Sequence, residues 1–333
     1  YYLRKHKIRT AIGGSLILWY IFCLPGTLFK EGYATIVESR EGKLLGGKIA
    51  PDGQWRFPER DTVPYKLREA ILAFEDAHFY YHWGVNPIST AKALLTNLRH
   101  GHTVRGGSTL TQQVIRLARK NKARTYGEKL IEAIWATRLE FRYSKEKILA
   151  LYASHAPFGG NVIGADMAAW RYFGVSLEQL SWAEACTLAV LPNAPGLIFP
   201  GRNQNALRKK RDFLLEKLLK NHTIDKTTYE LSLEEPLVER PHELPNIAPH
   251  LVERIARTTP NKRQVTTIDY YLQERVQEVI AKYYRHYKRF EVHNLCALVV
   301  DVQSREVLAY VGNSPTDEQH HKDVNIIHRP RST

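Results

Sequence analysis

Between Pro64 and about His222, apolar residues recur every three or four positions, the period of helices that bury one face. The pattern predicts helices over 65–81, 88–99, 109–120, 126–141, 145–154, 165–173, 182–191 and 205–220. Ser144 and Ser181 stand where N-caps belong, Ser181 with Glu184 as a capping box, and Pro192 stops the helix before it. Upstream, positions 34–49 alternate loosely around the turn Glu41-Gly42-Lys43 and read as a β-hairpin. Downstream, 225–253 is polar and Pro-containing, a connector with some helix. From about Gln264 strand and helix patterns mix: strand-like 265–269, an amphipathic helix over 273–287, and a hairpin of 295–302 with 307–311. The expected class is mainly α, followed by an α/β segment too short to close its own sheet or core.

The N-terminal end has a different texture. Arg4, Lys5, Lys7 and Arg9 precede an apolar run from Ala11 to Leu28, a length suited to a bilayer crossing of roughly 20 residues. A cleaved signal peptide competes, but the run is long for that, so an uncleaved single-pass anchor is expected. Basic residues on its N-terminal side place that end in the cytoplasm and the rest of the chain outside it. The expected divisions are a tail and anchor (1–30), a hairpin linker (31–63), a helical domain (64–222), a connector (223–263) and a second domain (264–333). The net charge of +14 would also suit nucleic acid, but export and an anchor argue against that partner; anionic head groups and pyrophosphate are expected instead. Cys23, Cys186 and Cys296 offer neither a disulfide framework nor metal-ligand spacing and read as small buried hydrophobes.

Two stretches carry chemistry. In the first, Glu75-Asp76 ends the apolar run Ala70-Ile71-Leu72-Ala73-Phe74, and a carboxyl at the edge of an apolar wall has a raised pKa suited to proton transfer. Glu75 is the candidate general base. In the second, the turn Gly106-Gly107-Ser108-Thr109 opens a polar helix whose free N–H groups could hold an anion. Carboxylate and anion cradle together suggest transfer of a sugar from a phosphate leaving group. Arg116 and Arg119 continue one face of that helix, followed by Lys120, Lys122 and Arg124. On the next helix, Leu130, Ile131, Ile134 and Trp135 share a stripe opposite Lys129, Glu132, Ala136 and Glu140. Lys129 and Glu132, three apart, are either a surface ion pair or a pyrophosphate-neutralising pair. His78 and His82 are four apart but lack a third ligand nearby, so no built-in metal site is expected.

These motifs, in order, resemble a known family. Glu75-Asp76-x-x-Phe79-x-x-His82-x-Gly84, Gly107-Ser108-Thr109-Leu110-Thr111-Gln112-Gln113, Lys129-x-x-Glu132, Tyr152 to Gly159 and Ala168-Ala169-x-x-Tyr172-Phe173-Gly174 are similar to the family 51 peptidoglycan glycosyltransferases. These are the lysozyme-like, membrane-anchored domains of class A penicillin-binding proteins. Asp52 to Pro58 and Ala156 to Gly160 resemble the 1C type. The resemblance implies polymerisation of lipid II outside the cytoplasmic membrane, with Glu75 and Glu132 as catalytic residues. It implies that Arg116 and Lys129 meet the pyrophosphate and that Asp76, Ser108, Thr109 and Gln113 belong to the substrate site. Lipid II, the growing glycan strand, the membrane and other wall-synthesis proteins are the implied partners; a divalent cation, Mg or Mn, assists some members.

The sequence departs from the family pattern at Glu128, where an arginine is common, at Arg116-Leu117 in place of Lys-Asn, and at Ala150 and Ser154 in the Glu-x-Tyr-x-Asn motif. Segment 264–333 resembles the start of a transpeptidase domain, but Ser332 is followed only by Thr333 and does not make a Ser-x-x-Lys motif. Transpeptidation and covalent β-lactam capture are therefore not expected of these 333 residues. Two alternatives stand beside polymerisation: a lysozyme-like lytic enzyme, and a catalytically silent membrane scaffold of a wall-synthesis complex.

Overall fold

The computed structural model describes residues 2–100, 106–122, 125–198 and 200–329. Arg124 of the basic run and the terminal Arg331-Ser332-Thr333 lie outside the described residues. The chain opens with α1 (Tyr2–Phe22), then β1 (Thr35–Glu38), β2 (Leu44–Lys48) and β3 (Trp55–Arg56). Next come α2 (Tyr65–Glu75), α3 (Pro87–His100), α4 (Leu110–Ala118), α5 (Tyr126–Glu140) and α6 (Lys145–His155). A short hairpin, β4 (Pro157–Gly159) and β5 (Val162–Ile163), leads to α7 (Ala165–Phe173), α8 (Trp182–Val190), α9 (Gln204–Lys220) and α10 (Lys226–Glu234). The last stretch holds α11 (Pro249–Thr258), β6 (Arg263–Val265), α12 (Tyr270–Tyr287), β7 (Ala297–Val300) and β8 (Val307–Val311).

Two compact units result. The first comprises 1–31 and 59–241, the second 32–58 and 242–333. In the first, α8 is the central helix, packed on α2 and α9. Its buried residues are mostly small (Ala183, Ala185, Cys186, Ala189), which lets both neighbours approach closely. Leu67, Ala70 and Ile71 of α2 and Leu207, Leu214, Leu215 and Leu218 of α9 complete this core. A second layer forms where Leu110, Val114 and Ile115 of α4 meet Ile148, Leu149 and Tyr152 of α6. N-caps fix the helix starts: Thr109, Ser144 and Ser181 each accept the backbone N–H three residues on.

In the second unit, β1 pairs antiparallel with β2 and parallel with β6, Val37 lying opposite Gly46 and Gln264. The segment read as a linker hairpin therefore contributes the central strand of a sheet. Gln273 of α12 is fully buried and clamps β8, its side chain donating to Tyr310 O (3.1 Å) and accepting from Tyr310 N (2.7 Å). β7 leaves Leu298 and Val300 exposed, with Val302 just beyond it.

Three expectations are corrected. The run 11–28 does not form one spanning helix: α1 begins among the basic residues and stops at Phe22, ahead of Pro25. Its apolar part, 10–22, reaches about 20 Å, short of the roughly 30 Å hydrocarbon core. Among the described residues no helix is long and apolar enough to cross a membrane. The helix expected over 65–81 ends at Glu75, followed by a 3₁₀ turn at Phe79–Tyr81. The two stripes of α5 are not separated as the wheel places them: Glu132, Ala136 and Leu139 are buried, Leu130 is 63% exposed, and Ile131, Ile134 and Trp135 are half-buried. Of the cysteines, Cys186 is buried and the other two are half-buried.

Candidate active site

The first motif is a clamp, built at the end of α2. Asp76 is its centre: buried, with Oδ2 accepting the Leu110 N–H at 3.0 Å and both carboxylate oxygens 3.0 and 3.2 Å from His82 Nε2. Those bonds draw the chain out of helical geometry after Glu75, which is why α2 ends there. Thr109 Oγ1 donates to Gly84 O (2.6 Å), and Lys145 Nζ donates to His82 O (2.6 Å) and to Glu140 (2.8 Å). Phe79 fills the inside of the loop. With α2 ended before them, His78 and His82 lose helical register, and His78 is exposed. Among the described residues no three His, Cys, Asp or Glu side chains gather as a metal site.

This clamp corrects the reading of the Gly-Gly-Ser-Thr turn. The N-terminus of α4 does bind an anion, and the anion is Asp76. The Gln112 amide is taken by Thr109 Oγ1 (3.2 Å), and the Thr109 amide by Gln112 Oε1 (3.0 Å), a closed capping box. Asp76 and the 2% exposed Thr109 are thus engaged in holding this frame.

Glu75, one residue earlier, stays outside the clamp. Its carboxyl is raised by burial, partly offset by a hydrogen bond from Gln113 Nε2 to Oε2 (2.7 Å) and by the charges of Lys210 and Arg116, while Asp76 adds to the rise. Oε2 is held by Gln113, so Oε1 is the oxygen left to exchange a proton. Three residues along α4, Arg116 faces the same way and makes a two-pronged bond to Glu132 of α5, Nε to Oε1 at 3.0 Å and Nη2 to Oε2 at 2.8 Å. Arg116 Nη2 also donates to Ser108 Oγ (3.1 Å).

Glu75, Gln113, Arg116, Glu132 and Ser108 are thus brought together. Lys129 is not paired with Glu132 as its spacing suggested; its side chain is exposed and has no ion-pair partner among the described residues. Glu128 meets Arg119 (Oε2 to Nη2, 2.7 Å), whose guanidinium lies 4.6 Å from the Trp135 ring centroid, so the charge at 128 is neutralised locally. Sequence reading missed Lys210 of α9, whose Nζ donates to Asn193 Oδ1 (2.8 Å) and whose pKa is lowered by burial and opposed by Glu75. Nothing local marks Lys210 within Arg208-Lys209-Lys210-Arg211; only tertiary packing selects it.

A family model described as Transglycosylase matches residues 46–219. Penicillin-binding protein 1C of Escherichia coli (strain K12) is 33% identical over 327 residues, covering 97% of this chain and 41% of that protein. Penicillin-binding protein 1B of Vibrio cholerae is 29% identical over 296 residues, 83% of this chain and 38% of that protein. Penicillin-binding protein 1A of Haemophilus influenzae is 34% identical over 207 residues, 62% of this chain and 24% of that protein. The chain thus spans about two fifths of the length of the first two relatives.

Proposed function

We propose, from the premise that the chain belongs to the transglycosylase family, that it polymerises lipid II into glycan strands with release of undecaprenyl pyrophosphate. The observation that carries this reading is Glu75: a carboxyl raised by burial, anchored at one oxygen by Gln113, beside the Arg116–Glu132 pair. Oε1 takes the proton of the acceptor 4-hydroxyl as that oxygen attacks the anomeric carbon of the growing strand. The new C–O bond forms with inversion, and the bond to pyrophosphate breaks with its electron pair on the leaving group. Arg116, fixed by Glu132, and the unpaired Lys129 supply positive charge where the pyrophosphate's negative charge builds up. Ser108 lines the same edge through its bond with Arg116.

The reaction belongs on the outer face of the cytoplasmic membrane, and α1 is the segment proposed to meet the lipid. Leu16, Ile17, Leu18 and Phe22 are all more than half exposed, following the basic start of the helix.

Labelled lipid II in detergent, resolved on a gel, tests the assignment. A ladder of glycan strands is the expected product. Shortening of finished glycan would identify a lytic enzyme instead, and lipid II bound without turnover would identify a scaffold.

A further inference from the structure

Behind Glu75 lies a group that the reaction as drawn does not use. Tyr152 of α6 is 1% exposed, and its hydroxyl is a buried polar atom with no hydrogen-bond partner among the described residues. Leaving a buried donor unsatisfied is costly, and a phenylalanine would fill the same space without that cost. The hydroxyl lies within electrostatic reach of the Glu75 carboxyl. The groups that bear on Glu75 are Gln113 and Arg116 from α4, Lys210 from α9, Asp76 beside it and Tyr152 from α6. Gln113 donates a hydrogen bond, Arg116 is engaged by Glu132 and Ser108, and Lys210 is engaged by Asn193.

From this placement we infer that Tyr152 is a positioning residue for Glu75: its hydroxyl donates to the Glu75 carboxylate when that group is ionised, directly or through one water. The inference rests on Glu75 acting as the base. A base must be deprotonated before it can accept a proton, and burial alone works against that by raising Glu75. A second donor that engages only the charged form draws the pKa back down and holds the carboxylate's orientation. Tyr152 keeps its own proton throughout, because burial first, and the nearby Glu75 second, push its phenol well above the ordinary value.

The test is Tyr152→Phe, read by carbon-13 titration of the Glu75 carboxyl in the whole chain, with Glu75→Gln assigning the signal. The Glu75 midpoint is expected to rise by about one pH unit in Tyr152→Phe, the loss of one hydrogen bond to a charged group. On lipid II, the acid limb of the pH–rate profile moves up by the same amount. The rate drops about tenfold below the limb and recovers towards wild type at alkaline pH. A 3-fluorotyrosine at 152, a more acidic donor, moves the midpoint the opposite way. Thermal stability of Tyr152→Phe is expected to equal or exceed wild type at pH values where Glu75 is protonated and to fall below it where Glu75 is ionised. An unmoved midpoint overturns the inference whether or not the chain polymerises; activity lost at all pH values with the midpoint unmoved also overturns it, and makes the hydroxyl a support of the fold. Absence of glycan strands from the wild type would count against the polymerase reading alone.

Discussion

At the scale of the residue, the ten-residue stretch from Glu75 to Gly84 divides its labour sharply. Asp76, Phe79, His82 and Gly84 hold one another and α4, and Glu75 stays outside that set. Glu75's folded pKa is raised, mainly by burial, so this carboxyl's contribution to stability is fully present below the ordinary carboxylate range and is lost as pH rises through the folded value. Glu75→Gln, neutral at every pH, is therefore expected to melt higher than wild type at pH 8, with the gap closing as pH falls below about 4; scanning calorimetry across pH checks this. Arg116 and Lys129 separate by their surroundings. Arg116→Met leaves Glu132 as an unpaired buried charge and should cost about 3 kcal/mol of stability in urea unfolding. Exposed Lys129→Ala should change stability by less than about 0.5 kcal/mol, yet raise KM for lipid II. The burial and raised pKa of the Glu75 carboxyl were legible in the sequence because an acidic pair closing an apolar run is a local signal. Lys210 and the Arg116–Glu132 pair were not, since 135 and 16 positions separate the partners and only the fold closes those distances.

At the scale of the element, helix starts were the most legible boundaries because caps are local: Thr109, Ser144 and Ser181 each bond a residue three positions on. The end of α2 was not, because Asp76 is pulled aside by His82 and by an α4 amide, neither of them in its own helix. The face of α5 misled for a related reason. A wheel reads Leu130 and its stripe as core, but the helix buries Glu132 because Arg116 is waiting to pair with it. Gly84 ties these elements together: its φ is +77°, and an added Cβ would lie 2.6 Å from the backbone carbonyl of Ala136 in α5. Gly84→Ala is expected to cost about 2–3 kcal/mol in urea unfolding and to lower the polymerisation rate by shifting α5, with Glu132 on it. A melt indistinguishable from wild type would show that the loop and α5 are not in register as described.

At the scale of the molecule, the first unit is mainly helical and the second mixes strand and helix, but the second resumes at His242, ahead of the change of hydrophobic period read near Gln264. The return of 32–58 to the second unit was hidden, because a parallel pairing of β1 with β6 links residues more than 200 positions apart. Hydropathy counted the N-terminal run across Pro25, whereas α1 stops at Phe22, and among the described residues no helix is long and apolar enough to cross a membrane. What the whole arrangement achieves is one ionisable oxygen, Glu75 Oε1, held at the edge of the fixed Arg116–Glu132 ion pair. The most direct measurement is polymerisation of labelled lipid II by the wild-type chain and by Glu75→Gln, with lipid II binding measured on both. Glycan strands are expected from the wild type and a loss of at least about a hundredfold in the variant, with binding retained. Strand formation at the wild-type rate by Glu75→Gln would contradict Glu75 as the base.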